Sequence, residues 1–241
     1  MQLRHVALTA GIAVILVSAT PAAIEPAVRN GSAMPEAFRP FSVGIGVDGS
    51  GSTAMRHAPG MVAEADAIWR AYGVRVVLLP ARAHETMTCE VRLTLQFESA
   101  RAPATGGASP TRLGSIWFHD GGIPSQAIAM DADAIAARAL DVEMSGRLDK
   151  WPPALAALMT ARALGRVLAH EIGHYLLAFP AHSRAGLMRA SFDGRELGGW
   201  NRGGFQLEAS ALPRLRARVA RLASFPEQAV AADHPAEARP H

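Results

Sequence analysis

Apolar and polar positions alternate with a period of two in CEVRLTLQF, where Val91, Leu93, Leu95 and Phe97 are separated by Arg92, Thr94 and Gln96. That period puts one set of side chains on one face of a strand. Just upstream the period is helical. After Pro59, apolar residues recur at Met61, Val62, Ala65, Ile68, Trp69 and Tyr72, and Gly73 closes the run. VRVVLL at 74–79 follows at once as a buried strand that Pro80 stops. LGSIWF at 113–118 predicts a third strand, HDGGIPS a turn, QAIAM at 126–130 a short fourth strand, and 132–145 a weak helix. From 153 to 178 the chain is almost wholly Ala, Leu, Met, Val and Arg. Pro152 and Pro153 suit a first helical turn, where a missing N–H costs nothing. A helix apolar around most of its circumference belongs in a domain interior. Pro180 ends it, because the residue before a proline is pushed out of the α region. A last helix is predicted at 205–222, with Leu207, Ala211, Leu215 and Val219 on one stripe.

The ends of the chain read differently. MQLRH is positively charged, VALTAGIAVILVSA is an uncharged apolar run, and TPAA supplies small residues. This is the three-part pattern of a secretory signal peptide over 1–22, with cleavage after Ala19 or Ala22. It predicts an exported protein, periplasmic or secreted. No second run approaches the length of a bilayer span, so no stable membrane insertion is expected after cleavage. Residues 23–58 are rich in Pro, Gly, Ser and Ala and read as a flexible segment or linker, with GVDGSGS at 46–52 as its plainest part. A folded domain is expected over 59–223, and the polar, Pro-containing 224–241 as a frayed tail.

Composition narrows the function classes. The chain of 241 residues is 49% hydrophobic and 19% charged, an ordinary globular balance. Its net charge of +3 comes from scattered arginines, with Lys150 the single lysine. There is no basic stripe with interleaved aromatics, so nucleic-acid binding has no support. Cys89 is the only cysteine, which rules out an intramolecular disulfide, and its place before an alternating run suits a small buried hydrophobe.

Chemistry concentrates at 169–190, AHEIGHYLLAFPAHSRAGLMRA. His170 and His174 are four apart on the long helix, so both imidazoles share one face and can converge on a single ion. Imidazole nitrogen at about 2.0–2.1 Å is an ordinary zinc ligand. Glu171 is rotated about 100° from His170, within reach of a water beside such an ion. The pattern is HExxH. Two solvated histidines would be a plainer reading, but an apolar helix would then concentrate its polar groups at one turn without cause. A catalytic zinc keeps three protein ligands and an open position. The third is sought first at His182, beyond the Phe179-Pro180 break, and otherwise at Glu196, Glu208 or Asp193. Ser183, Asp193 and Glu208 are candidates to orient a ligand imidazole, and His119 could sit near a cleft.

HEIGHYLLAFPAHSRAGLM resembles the metzincin group of zincin-type zinc metallopeptidases, whose motif is HExxHxxGxxH followed by a methionine-containing turn. The resemblance implies one catalytic Zn2+ held by His170, His174 and His182, a general base at Glu171, and Met188 in a Met-turn beneath the metal. It implies an α+β, zincin-like fold: a small mixed sheet packed on a long active-site helix, then a Met-turn-like segment and a C-terminal helix. The family's glycine falls at Leu177 and its third histidine at Pro180, so the resemblance is to a divergent, metzincin-like member in which the third histidine comes two residues later. The implied activity is hydrolysis of peptide bonds in a protein or peptide substrate, by a metal-activated water with a Glu general base. Extended peptides would pair with a sheet edge at 113–118 or 126–130. Two rival readings remain: a hydrolase with a carboxylate third ligand, gluzincin- or aspzincin-like, and a non-catalytic exported zinc-binding domain.

Overall fold

In β3 (Val91–Glu98) the apolar half of the alternating pattern, Val91, Leu93 and Leu95, is buried, while Thr94 and Gln96 face solvent. The computed structural model describes residues 40–48, 53–80, 88–98, 112–141 and 152–224, all within the unit Arg39–His241. The expected signal peptide at 1–22 and the tail beyond Ser224 lie outside the described residues. β3 is the middle of a five-stranded mixed sheet. The other strands are β1 (Phe41–Asp48), β2 (Val74–Leu78), β4 (Gly114–His119) and β5 (Ile123–Asp131), in the order β2-β1-β3-β5-β4. β1 runs parallel to β2 and β3, β3 parallel to β5, and β4 antiparallel to β5. β4 is therefore an edge, with Gly114 opposite Met130 and Ile116 opposite Ile128.

Among the described residues there are five α-helices. They are α1 (Ala58–Trp69), α2 (Ala132–Asp141), α3 (Pro153–Leu177), α4 (Gly194–Gly198) and α5 (Leu212–Ser224). α1 stops where the helical pattern stops, with Gly73 in the left-handed conformation after a 3-10 turn. Val43, Ile45, Leu93, Leu95, Ile128 and Met130 of the sheet join Met61, Trp69, Leu164 and Leu168 of the helices in one apolar core. The Trp69 indole N–H donates to the Ala169 carbonyl at 3.0 Å, which fixes α1 against α3. Among the described residues no helix is long and apolar enough to cross a membrane.

Several expectations are corrected. The linker reading of 23–58 does not hold at Phe41–Asp48, which form β1, or at Thr53–His57, which form a 3-10 turn. One glycine of this segment serves a close approach: a Cβ on Gly44 would lie 2.8 Å from the Cys89 Sγ and 2.9 Å from Leu79. The expected buried Cys89 is half-buried over that glycine. The fourth strand starts at Ile123 rather than at 126, since the hairpin turn is finished by Gly121 and Gly122. The last helix starts at Leu212 rather than 205, with Pro213 suiting its first turn. Leu207 is buried from an extended segment, and α4 was not anticipated.

α1 and β2 are also joined through Asp66. Its carboxylate accepts from the Val76 amide at 3.0 Å and the Arg75 Nε at 2.9 Å, and pairs with Arg70. Burial pushes this carboxyl up, but those donors together outweigh burial and hold it below its ordinary value. A depressed folded value contributes stability above the unfolded value of about 3.9, and that contribution is lost as pH falls through the folded value. Asp66→Asn is therefore expected to lower stability by about 2 kcal/mol at pH 6. Its urea midpoint should then vary less below pH 4 than that of the unaltered chain. Equal acid sensitivity of the two proteins would refute the assignment.

Candidate metal centre

α3 is buried without interruption from Met159 to Leu177, so a polar side chain left wholly without partners in that stretch is costly. Four basic residues at four-residue spacing, Arg162, Arg166, His170 and His174, form one stripe along it. Each finds backbone carbonyls in the chain that folds back after the helix. Arg162 donates to Gly198 O at 3.1 Å, and Arg166 to Glu196 O and Leu197 O while its Nε pairs with Glu64 at 3.0 Å. His170 Nδ1 lies 2.7 Å from Leu187 O, and His174 Nδ1 2.7 Å from Phe179 O.

The reversal begins at Ala178, which ends α3 in the left-handed region at φ 46° and ψ 51°. An alanine in that region carries a strain of about 1–2 kcal/mol that a glycine would not. The turn brings His182 back to the helix. Its ring centroid is 5.3 Å from that of His170 and 5.0 Å from that of His174, while the two helical rings are 4.7 Å apart. One nitrogen from each of the three rings lies within 4.8 Å of the others, and this triad can hold a metal ion.

The donor set fits that reading. A backbone carbonyl only accepts, so His170 and His174 must each carry a proton on Nδ1. Their Nε2 atoms then bear lone pairs, and these face each other at 3.0 Å. Burial lowers His170 to about 3 and also lowers His174 and His182, with the Arg112 charge adding to the effect on the last two. Neutral imidazoles with opposed lone pairs repel unless a cation stands between them.

Glu171 is buried, and burial pushes its carboxyl up to about 8, opposed by the charge of Arg112. It faces the start of β4, where a Cβ on Gly114 would lie 2.7 Å from its Oε1. Glu171 and the three histidines line a cleft of about 530 Å³ walled by β4 and by the segment around Phe192. The Phe192 ring meets the His170 ring edge-on at 5.7 Å. Met188 is buried with its thioether against Gly173, beneath the helix between the two ligand positions. The chain's two tyrosines lie away from the cleft: the Tyr72 hydroxyl accepts from Leu207 N at 2.8 Å, and Tyr175 is buried behind the helix.

Other sequence candidates are placed elsewhere. Asp193 and Glu196 form the capping box of α4, and Glu196 also pairs with Arg189 at 2.6 Å. Glu208 accepts from Ala185 N at 3.2 Å. None of these carboxylates joins the three histidines. At His170 and His174 the orienting partners are the Leu187 and Phe179 carbonyls rather than Ser183, Asp193 or Glu208. Main-chain carbonyls have no signature in a sequence. Ser183 donates to Ala185 O at 2.6 Å, and His119 is exposed at the far end of β4. Arg112 and Arg138 line the cleft and had no motif to announce them.

No protein-family model and no curated protein matches the chain. Among solved structures it is similar to the crystal structure of archaemetzincin from Methanopyrus kandleri, at 15% identity and a TM-score of 0.42, over 78% of this chain and 99% of that one.

The turn that presents Leu187 depends on Gly186, at φ 72°, where a Cβ would run into the Gln206 carbonyl oxygen. Gly186→Ala is expected to cost about 2 kcal/mol or more. It should also weaken divalent-metal binding roughly 10- to 100-fold by displacing the carbonyl that orients His170. Thermal unfolding with a zinc titration tests this, and unchanged affinity would show that Leu187 does not orient the ring.

Proposed function

We propose that this chain is an exported zinc-dependent peptide-bond hydrolase, with His170, His174 and His182 as the ligands of one Zn2+ and Glu171 as general base. One observation carries the reading: two buried imidazoles present bare Nε2 atoms to each other at 3.0 Å, with a third ring beside them. Three neutral nitrogen donors facing a cleft suit zinc with an open position. A bound zinc ion supplies Lewis acidity, acidifying water and polarising a carbonyl.

The chain's own residues do the rest. Nδ1 protons donated to Leu187 and Phe179 fix the turn of both helical imidazoles and leave Nε2 bare, while burial keeps the rings neutral. Glu171, one residue from His170 and facing the cleft, takes the proton of the attacking water on its carboxylate and delivers it to the departing amine. An extended substrate pairs with β4, the strand that is both a sheet edge and a wall of the cleft. The alternative edge at 126–130 is withdrawn, because β5 lies between β3 and β4. Met188 packs under the helix as a floor that holds the two helical ligands level. Export rests on the secretory pattern of residues 1–22.

Two substitutions test the assignment. Glu171→Gln should keep one equivalent of zinc while peptide hydrolysis falls at least about 100-fold; activity retained by that variant excludes Glu171 as the base. His182→Ala should weaken zinc binding by more than the 10- to 100-fold expected from losing an orienting group. Wild-type affinity in a competition titration would remove His182 from the ligand set.

A further inference from the structure

Two guanidinium groups share the cleft with Glu171, its only lining carboxylate among the described residues. Arg112 precedes β4 and lies 5.7 Å over the exposed ring of Trp117. Arg138 is on α2, with its Nε donating to the Phe192 carbonyl at 3.0 Å. Among the described residues neither pairs with a carboxylate. Five other arginines do meet acids: Arg166 and Arg202 pair with Glu64, Arg70 and Arg75 with Asp66, and Arg189 with Glu196.

Topology puts both cleft arginines at one end. Asp131 N donates to Leu113 O at 3.0 Å, so Arg112 sits where β5 passes into α2, the helix that carries Arg138. Gly114, against the Glu171 carboxylate, belongs to the same end. The charge of Arg112 reaches Glu171, His174 and His182. Unpaired cations on a partly enclosed wall concentrate the field and favour an anionic group there. Guanidinium is suited to a carboxylate partner, which it can meet with two parallel hydrogen bonds.

We propose that Arg112 and Arg138 make this cleft selective for peptides that carry a carboxylate beside the bond to be cut. The proposal rests on the hydrolase reading above. The carboxylate comes either from an Asp or Glu side chain or from the free end of a short peptide, and both present the same group to the arginines. A lysine or arginine in the same place meets like charge and is rejected.

The test uses the zinc-loaded full chain and peptides that differ at one position within two residues of the cleaved bond. Each carries Asp, Asn or Lys there, with a free or amidated C-terminus. At least one carboxylate arm, side-chain or terminal, should raise kcat/KM about 10-fold over its neutral counterpart, and Lys should fall below Asn. Arg112→Glu and Arg138→Glu should each shift the Asp-to-Lys ratio toward Lys by at least about 10-fold. Binding of the same peptides to the zinc-loaded Glu171→Gln chain reads the preference without turnover. Equal binding of acidic and neutral peptides in both arms overturns the proposal, as does a uniform loss across all peptides in the arginine variants. Acid-selective binding with no cleavage by the unaltered chain would instead overturn the hydrolase reading alone.

Discussion

The structure depends on one interaction repeated along α3: basic side chains on a buried helix face, each bonded to a backbone carbonyl of the returning chain. Arg162, Arg166, His170 and His174 occupy successive turns and meet Gly198, Glu196 with Leu197, Leu187 and Phe179. A buried donor left unpaired costs about 1–3 kcal/mol, so the stripe specifies where the segment 179–198 must lie. The two arginines anchor α4, and the two histidines aim their second nitrogens at each other. Anchoring and chemistry are thus parts of one hydrogen-bonded row.

Glu64 closes the far end of this row. It pairs with Arg166, whose side chain is fully buried, and with Arg202 beyond α4. The Arg166 guanidinium stacks over Phe205 at 4.6 Å, Phe205 stacks on Phe192, and Phe192 meets His170. A continuous set of packed groups therefore runs from α1 to the first ligand position. Rings supported in this way have their orientations already set, the preorganisation that a metal site requires.

On the open side the constraint is steric. β4 approaches α3 so closely that only a glycine fits opposite Glu171. The strand next to the carboxylate is also the edge of the sheet among the described residues. Burial favours the protonated form of Glu171, and Arg112 favours the charged form. The same arginine stands at the cleft wall, so one residue both tunes the carboxylate and meets whatever occupies the cleft.

Periodicity alone was enough for α1, β2, β3, β4 and the full extent of α3, because each buries a regular face or is bounded by Pro or Gly. His170, Glu171 and His174 were legible for a local reason: helical geometry converts a spacing of four into a shared face. β1 was not legible, since its Gly44 answers to Leu79 and Cys89, residues brought near only by the sheet. Nor could a sequence show which of His182, Asp193, Glu196 and Glu208 reaches the helical pair. That depends on Ala178 turning left-handed and on the acids being consumed in the α4 cap and the Ala185 turn. The orienting carbonyls and the two cleft arginines belong to the same class. What the chain determined by itself are the elements and the helical half of the site, where i and i+4 are neighbours in any helix; the third histidine, its rivals' absence and the charge of the cleft were decided only by tertiary packing, because long-range proximity has no period.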